Sequence, residues 1–260
     1  MEMKKNPVRW EHLTREEIRA YSQQGAIVLV PLGSIEQHGP HLPVGTDALL
    51  ATYVCEKTAE ELNRRGKPCL VSPAITVGNA THHMSFPGSM TLKPQTYLAM
   101  LQDYCESLAA HGFRKIVIVN GHGGNVAPTQ TALININEAL GFPVYFTGCD
   151  KGDSQAEPDI LETQAHMDHA CESETSMILA LDEGFVDPIY KETKGSMSFG
   201  HKMEDEGIFS TFHRMEAHTE NGVMGNAYAA TAEKGKKILE REIQGMADIL
   251  MDDSLWGRKV

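Results

Sequence analysis

The sequence lacks most of what would mark a stapled, membrane-bound or nucleic-acid-binding chain. Its five cysteines, at positions 55, 69, 105, 149 and 171, are odd in number and scattered, and no C-x-x-C pair occurs. That argues against a disulfide framework and fits reduced thiols in a cytoplasm. No apolar run approaches the roughly 18 residues of a membrane span. The opening stretch MEMKKNPVRWEHLTREE is charged and has no apolar segment of the signal-peptide kind. Basic residues are in deficit, with 23 Lys and Arg against 35 Asp and Glu, for a formal charge of −12. Binders of nucleic acid or anionic lipid usually show a basic face, so neither partner is expected. Linkers, repeats and low-complexity tracts are missing. So is the G-x-G-x-x-G fingerprint of a dinucleotide site.

What is present reads as an alternation of strands and helices. A length of 260 residues, 41% of them hydrophobic, is enough for one large α/β domain or two small ones with a sizeable core. AIVLVPL (26–32) is a continuous apolar run, as expected of a strand buried on both faces. Helical spacing follows over 48–65, and PCLVSPAITVG (68–78) reads as a second strand. A helix over 93–112 has Pro94 near its first turn and Gly112 as its stop. KIVIVNGHGGN (115–125) is a third strand running into a glycine turn. A helix over 127–141, a strand over 143–148 and a helix over 172–184 come next. The stretch 185–225 is irregular, and a long helix over 227–252 closes the chain. This spacing predicts a single α/β domain over residues 1–260, in three layers, with a mostly parallel central sheet flanked by helices.

In open α/β sheets, ligands bind beyond the carboxyl ends of the strands. The candidate residues fall there. VLVPLGSIEQHGPHLPVGTDALLA (28–51) leaves the first strand and places Glu36, His38, His41 and Asp47 within twelve residues, among Gly and Pro. Glu36 and His38 are one residue apart, so in an extended segment both can point to one side. Asp47 opens a helix, whose dipole and free N–H groups keep its carboxylate ionised and able to bridge two cations. His122 follows the third strand, and His82 and His83 follow the second. Any lone histidine is more often a surface or core residue. The combination at three strand ends is what points to a metal site. Its oxygen and nitrogen donors favour Zn²⁺, Mn²⁺ or Fe²⁺ over a structural thiolate zinc.

Several motifs, in order from about residue 12 to 250, resemble the creatininase (creatinine amidohydrolase) family. PLGSIEQHGPHLPVGTD is similar to its first metal motif, HHMSFPGSMTL to its H-x-x-F-P-G-T segment, and IVNGHGGN to its second metal motif. DHACESETSMILAL resembles its H-A-G-E-x-E-T-S segment, and GVMGNAYAATAEKGKKILE its C-terminal helix. The resemblance implies a two-metal hydrolase, usually a homohexamer. Carried over by position, Glu36, Asp47 and His122 hold one metal, and His38 with the bridging Asp47 holds the other. His169 matches the catalytic histidine. In creatininases proper a Glu two residues after the second metal histidine completes the second site, and here that position is Gly124. Glu172 or Glu174 is expected to supply the missing carboxylate, with Glu172 favoured as metal ligand and proton-handling partner of His169. Creatininases proper also place tryptophans around the pocket. This chain has only Trp10 and Trp256, outside those segments, which argues against creatinine itself.

The expected chemistry is hydrolysis of a cyclic amide or formamide C–N bond in a small molecule, using two divalent cations per chain, Zn²⁺ first, with Mn²⁺ or Fe²⁺ as alternatives. A peptide-modifying hydrolase, a phosphoesterase and a non-enzymatic metal-binding protein are the competing readings. The D-x-H and G-D-x-x-D motifs usual in phosphoesterases do not occur. His41, His213 and His218 are expected to lie off the metals. The Met- and Phe-rich stretch GSMSFGHKMEDEGIFSTFHRMEAH is read as interface-forming.

Overall fold

The computed structural model describes residues 5–197 and 211–258. Four strands form its centre: β1 (Ile27–Leu32), β2 (Cys69–Val71), β3 (Lys115–Asn120) and β4 (Tyr145–Gly148). All run parallel, in the order β2-β1-β3-β4. β1 and β3 pair from Ile27↔Lys115 to Leu32↔Asn120, so their carboxyl ends finish side by side.

Every residue of β1 is buried because both faces of the sheet are covered. Ile27 and Leu29 join Val117 and Val119 in one core, while Val28, Val30 and Leu32 join Ile116 and Ile118 in the other. Helices α2 (Thr46–Arg64), α6 (Glu172–Leu181) and α7 (Ala232–Met251) close the first core. Helices α3 (Pro94–Ala110) and α4 (Val126–Leu140) close the second, with α1 (Arg15–Gln23) at its margin. A short α5 (Ala156–Ile160) packs against α7. The three-layer arrangement expected from the sequence is the one observed.

Three differences have local causes. The expected strand over 68–78 pairs with β1 only over Cys69–Val71. Pro73 has no N–H to give a ladder, and the chain touches β1 again only at the Leu32↔Ile75 bridge. The last helix begins at Ala232, five residues later than expected, because the Thr231 side chain accepts from Lys234 N and caps it there. Helix α1 had no counterpart in the apolar pattern. A capping box between Thr14 and Glu17 starts it. Residues 198–210, most of the stretch read as interface-forming, lie outside the described residues. Among the described residues, no helix is long and apolar enough to cross a membrane.

Candidate metal centre

The turn after β1 carries Glu36 and His38, the first turn of α2 carries Asp47, and the turn after β3 carries His122. Close packing brings them together. A Cβ at Gly121 would lie 2.5 Å from the Asp47 carbonyl oxygen, so only glycine lets the β3 turn meet the start of α2. His83 arrives on a 3-10 turn (Thr81–His83), and Glu174 lies in the first turn of α6, just after His169. Glu36, His38, Asp47, His83, His122 and Glu174 are all buried.

Asp47 divides its carboxylate between two imidazoles. Its Oδ1 lies 3.0 Å from His38 Nε2, and its Oδ2 lies 3.3 Å from His122 Nδ1. Glu36 Oε2 stands 2.9 Å from His122 Nδ1, and Glu36 Oε1 stands 3.2 Å from His83 Nε2. Glu174 Oε1 is 3.8 Å from His38 Nε2, and His169 Nδ1 is 3.5 Å from Glu36 Oε1.

Backbone carbonyls fix how the rings present themselves. His38 Nδ1–H donates to Glu36 O at 3.1 Å, His122 Nε2–H to Asn79 O at 3.0 Å, and His169 Nε2–H to Gln37 O at 2.8 Å. In each ring the other nitrogen then turns its lone pair towards carboxylate oxygens. Glu36 Oε2, His38 Nε2 and Asp47 Oδ2 are buried without a hydrogen-bond partner, although they are crowded together. Acceptors facing acceptors in a buried space need a proton or a cation between them. Among the described residues, three groups have ligand atoms within 4.8 Å of one another: Glu36, Asp47 and His122; His38, His169 and Glu174; Glu36, His83 and His169. This donor set fits divalent cations of the zinc and manganese kind.

The electrostatics agree. Burial alone would lower the pKa of His122, but Glu36 and Asp47 outweigh it and lift His122 to about 10. Burial likewise opposes the charge on His38, and Asp47 and Glu174 overcome it, raising His38 well above the usual imidazole value. Asp47 is held down at about 2: burial raises it, and the His38 and His122 charges prevail. Glu36 is pushed up by burial and by Asp47. Burial drives His82 to about 4 and His83 to about 2, and it lowers His169 well below its usual value. Protons on His38 and His122 thus sit where cations would, beside the Asp47 carboxylate that they keep ionised.

The structure brings together Glu36, His38, Asp47, His122 and His169 as the sequence led one to expect. Glu172 is elsewhere. Its carboxylate accepts from Glu162 N, Thr163 N and Thr163 Oγ1, and it pairs with Lys234 Nζ at 2.7 Å. It ties the 162–163 segment to α7, and Glu174 takes the place beside His38. Glu174 Oε2 accepts from Ala170 N. Ala170 has φ of 54°, the positive φ of one non-glycine among the described residues, which turns the chain sharply between His169 and α6. His83 was not assigned a role from sequence, although it opens the H-x-x-F-P-G segment. Gln37 was also missed. Its amide donates to Gly222 O at 2.9 Å and His83 Nδ1 at 3.1 Å, and nothing in the local pattern signalled that. His41 points away from the cluster, to Thr175 Oγ1 at 2.8 Å. The rings of His213 and His218 pack edge-on to each other, centroids 5.0 Å apart.

The cluster forms the floor of a cavity of about 660 Å³. Phe146, Met167, Met215 and Met224 supply its apolar wall, and Asp150, Lys151 and Asp168 supply charge. No tryptophan lines it.

The creatininase family model, creatinine amidohydrolase, matches residues 11–250. The chain is 31% identical over 226 residues to the mycofactocin precursor peptide peptidase of Mycolicibacterium smegmatis, covering 85% of this chain and 83% of that one. It is 29% identical over 259 residues to the creatinine amidohydrolase of Pseudomonas putida, covering 93% and 95%. A solved structure described as Creatininase Mn superposes with a TM-score of 0.79 at 27% identity, covering 96% of this chain and 99% of that one.

Proposed function

Because the chain belongs to the creatininase family, a family of C–N hydrolases, we propose that it hydrolyses an amide or formamide C–N bond with the help of two divalent cations. The observation that carries this reading is Asp47, whose two oxygens face His38 and His122 separately. On this reading Glu36, Asp47 and His122 hold one cation, and His38, Asp47 and Glu174 hold the other. Zn²⁺ suits these donors first, and Mn²⁺ or Fe²⁺ second. Cations held there supply Lewis-acid polarisation of a carbonyl and lower the pKa of a water towards ~7.

The chain's own residues do the rest. Asp47 keeps negative charge at the floor of the cavity. His169, its ring fixed by Gln37 O, offers Nδ1 as the site that holds a proton and delivers it to the leaving nitrogen. The Gly123–Gly124 turn lies in the cavity wall, and on this reading its N–H groups support a developing oxyanion.

The favoured substrate is a small molecule with a cyclic amide or formamide, and the missing aromatic clamp weighs towards the formamide. The apolar wall is built from methionines and one phenylalanine, with no tryptophan clamp for a flat ring. A peptide bond is the second reading, supported by the size of the cavity, which falls within the usual range of ligand sites, roughly 300–1,000 Å³. The family resemblance also supports assembly as a homohexamer, which light scattering tests. The five cysteines are all buried and unpaired, which supports a reducing, cytoplasmic setting.

The decisive experiment is elemental analysis of the purified protein, followed by turnover of creatinine, an aryl formamide, a dipeptide and a phosphomonoester. Turnover of the formamide with about two bound cations per chain is the expected result. Phosphomonoester turnover alone, or no bound cation and no stimulation by metal, contradicts the reading.

A further inference from the structure

Gly124 sits two residues past His122, in the turn that leads into α4. A Cβ there would lie 2.4 Å from Asn79 O, 2.4 Å from His122 Nε2 and 2.7 Å from His82 Cε1. Real Cβ atoms do not approach so closely, so the space beside His122 is already filled. His82 fills one side of it. Its ring stacks on that of His122, with centroids 5.5 Å apart and planes 9° from parallel, and it touches the ring of His83 at 4.2 Å.

The other imidazoles of the cluster are committed at one nitrogen to the protein: His38 to Glu36 O, His83 to Gln37, His122 to Asn79 O and His169 to Gln37 O. His82 is not. Among the described residues, its contacts are the faces of the His122 and His83 rings rather than a polar partner. Its ring also lines the cavity. One half-buried imidazole, held flat against a candidate ligand and, among the described residues, uncommitted at both nitrogens, therefore faces the cavity.

We propose that His82 hydrogen-bonds the amide or formamide group of the substrate. This rests on the amidohydrolase reading given above. An uncharged imidazole offers one donor and one acceptor. Either atom can meet an amide: the N–H donates to a C=O, or the bare nitrogen accepts from an N–H. A side chain at position 124 and the imidazole of His82 compete for the same space, so Gly124 is what admits this contact.

The test uses the Zn²⁺-loaded protein and three variants, His82→Phe, His82→Asn and His82→Gln. Phe keeps the stacked ring and removes both polar atoms. With whichever of the aryl formamide and the dipeptide the unaltered protein hydrolyses, His82→Phe lowers kcat/KM about tenfold, the worth of one or two neutral hydrogen bonds. Its melting temperature and zinc content stay unchanged, and Asn or Gln restores part of the loss. A second arm needs no substrate: acetamide added to the Zn²⁺-loaded protein shifts the ring ¹⁵N resonances of His82. Full kcat/KM in His82→Phe, or unmoved His82 resonances at saturating acetamide, overturns the proposal. If the unaltered protein hydrolyses no amide at all, the amidohydrolase reading fails by itself, and the acetamide titration alone decides whether His82 meets an amide.

Discussion

Glu174 Oε1 stands 3.8 Å from His38 Nε2, on the side of α6 opposite to the Glu172–Lys234 pair. The two glutamates are two residues apart in sequence but serve different parts of the molecule. On the two-cation reading, Glu174→Gln should cost the protein one cation, read by zinc titration. Glu172→Gln should keep both cations and lower stability by about 1–3 kcal/mol, because it weakens a charged network around Lys234. The opposite pattern would return Glu172 to the metals.

Asp47 touches both halves of the cluster, so its removal should be the more damaging change. Asp47→Ala is expected to leave no tightly bound cation. His38→Ala should lose mainly the cation shared with Glu174. Elemental analysis after dialysis separates the two results. Equal retention in both variants would argue against a bridging carboxylate.

Cation uptake should release protons. Carboxylates hold His122 at about 10, against the effect of burial, and hold His38 well above its usual value. Both rings are therefore protonated at pH 7 without cations, and both must lose that proton to act as ligands. Apparent affinity should rise with pH up to about the His122 value. Calorimetric titration in buffers of different ionisation enthalpy should show about one to two protons released per chain. Buffer-independent heats would contradict this.

A second titration concerns stability. Glu242 on α7 is buried, and its Oε2 accepts from Gly152 N at 2.6 Å and Asp153 N at 3.1 Å. Burial raises its pKa from 4.5 to about 7, with Asp150 and Glu157 adding to the rise and the two N–H groups opposing it. Because the folded value lies above the unfolded one, ionisation favours unfolding as pH climbs from 4.5 towards 7. Glu242→Gln keeps an acceptor for both N–H groups and removes the charge. Its melting temperature relative to the unaltered protein should improve across that window and level off above it. A difference that does not change with pH would show that Glu242 does not titrate there.

Much of this was legible in the sequence, for a definite reason. β1 and β3 announce themselves as unbroken apolar runs because both faces of a parallel strand are covered, and that needs no knowledge of the partners. Glu36, His38, Asp47 and His122 stand out because carboxylates and imidazoles cluster just past strand ends, where a parallel sheet opens its ligand-binding edge. Residue type and local spacing suffice for such features.

What only the tertiary structure decided is which side chains converge. Glu172 and Glu174 share one helix start and lie about 200° apart around it, so either can face the metals until the rotation of α6 is set. α7 sets it from outside, through Lys234 Nζ on Glu172 and Thr231 N on Ser176 Oγ. The pairing of His83 with Glu36 and the seat of His82 beside Gly124 likewise depend on loops far apart in sequence packing against each other. The sequence by itself determined the sheet, its two cores and the chemical type of the site. The choice of Glu174 over Glu172, and the place of His82, came from non-local packing, because local periodicity carries no information about contacts made across the fold.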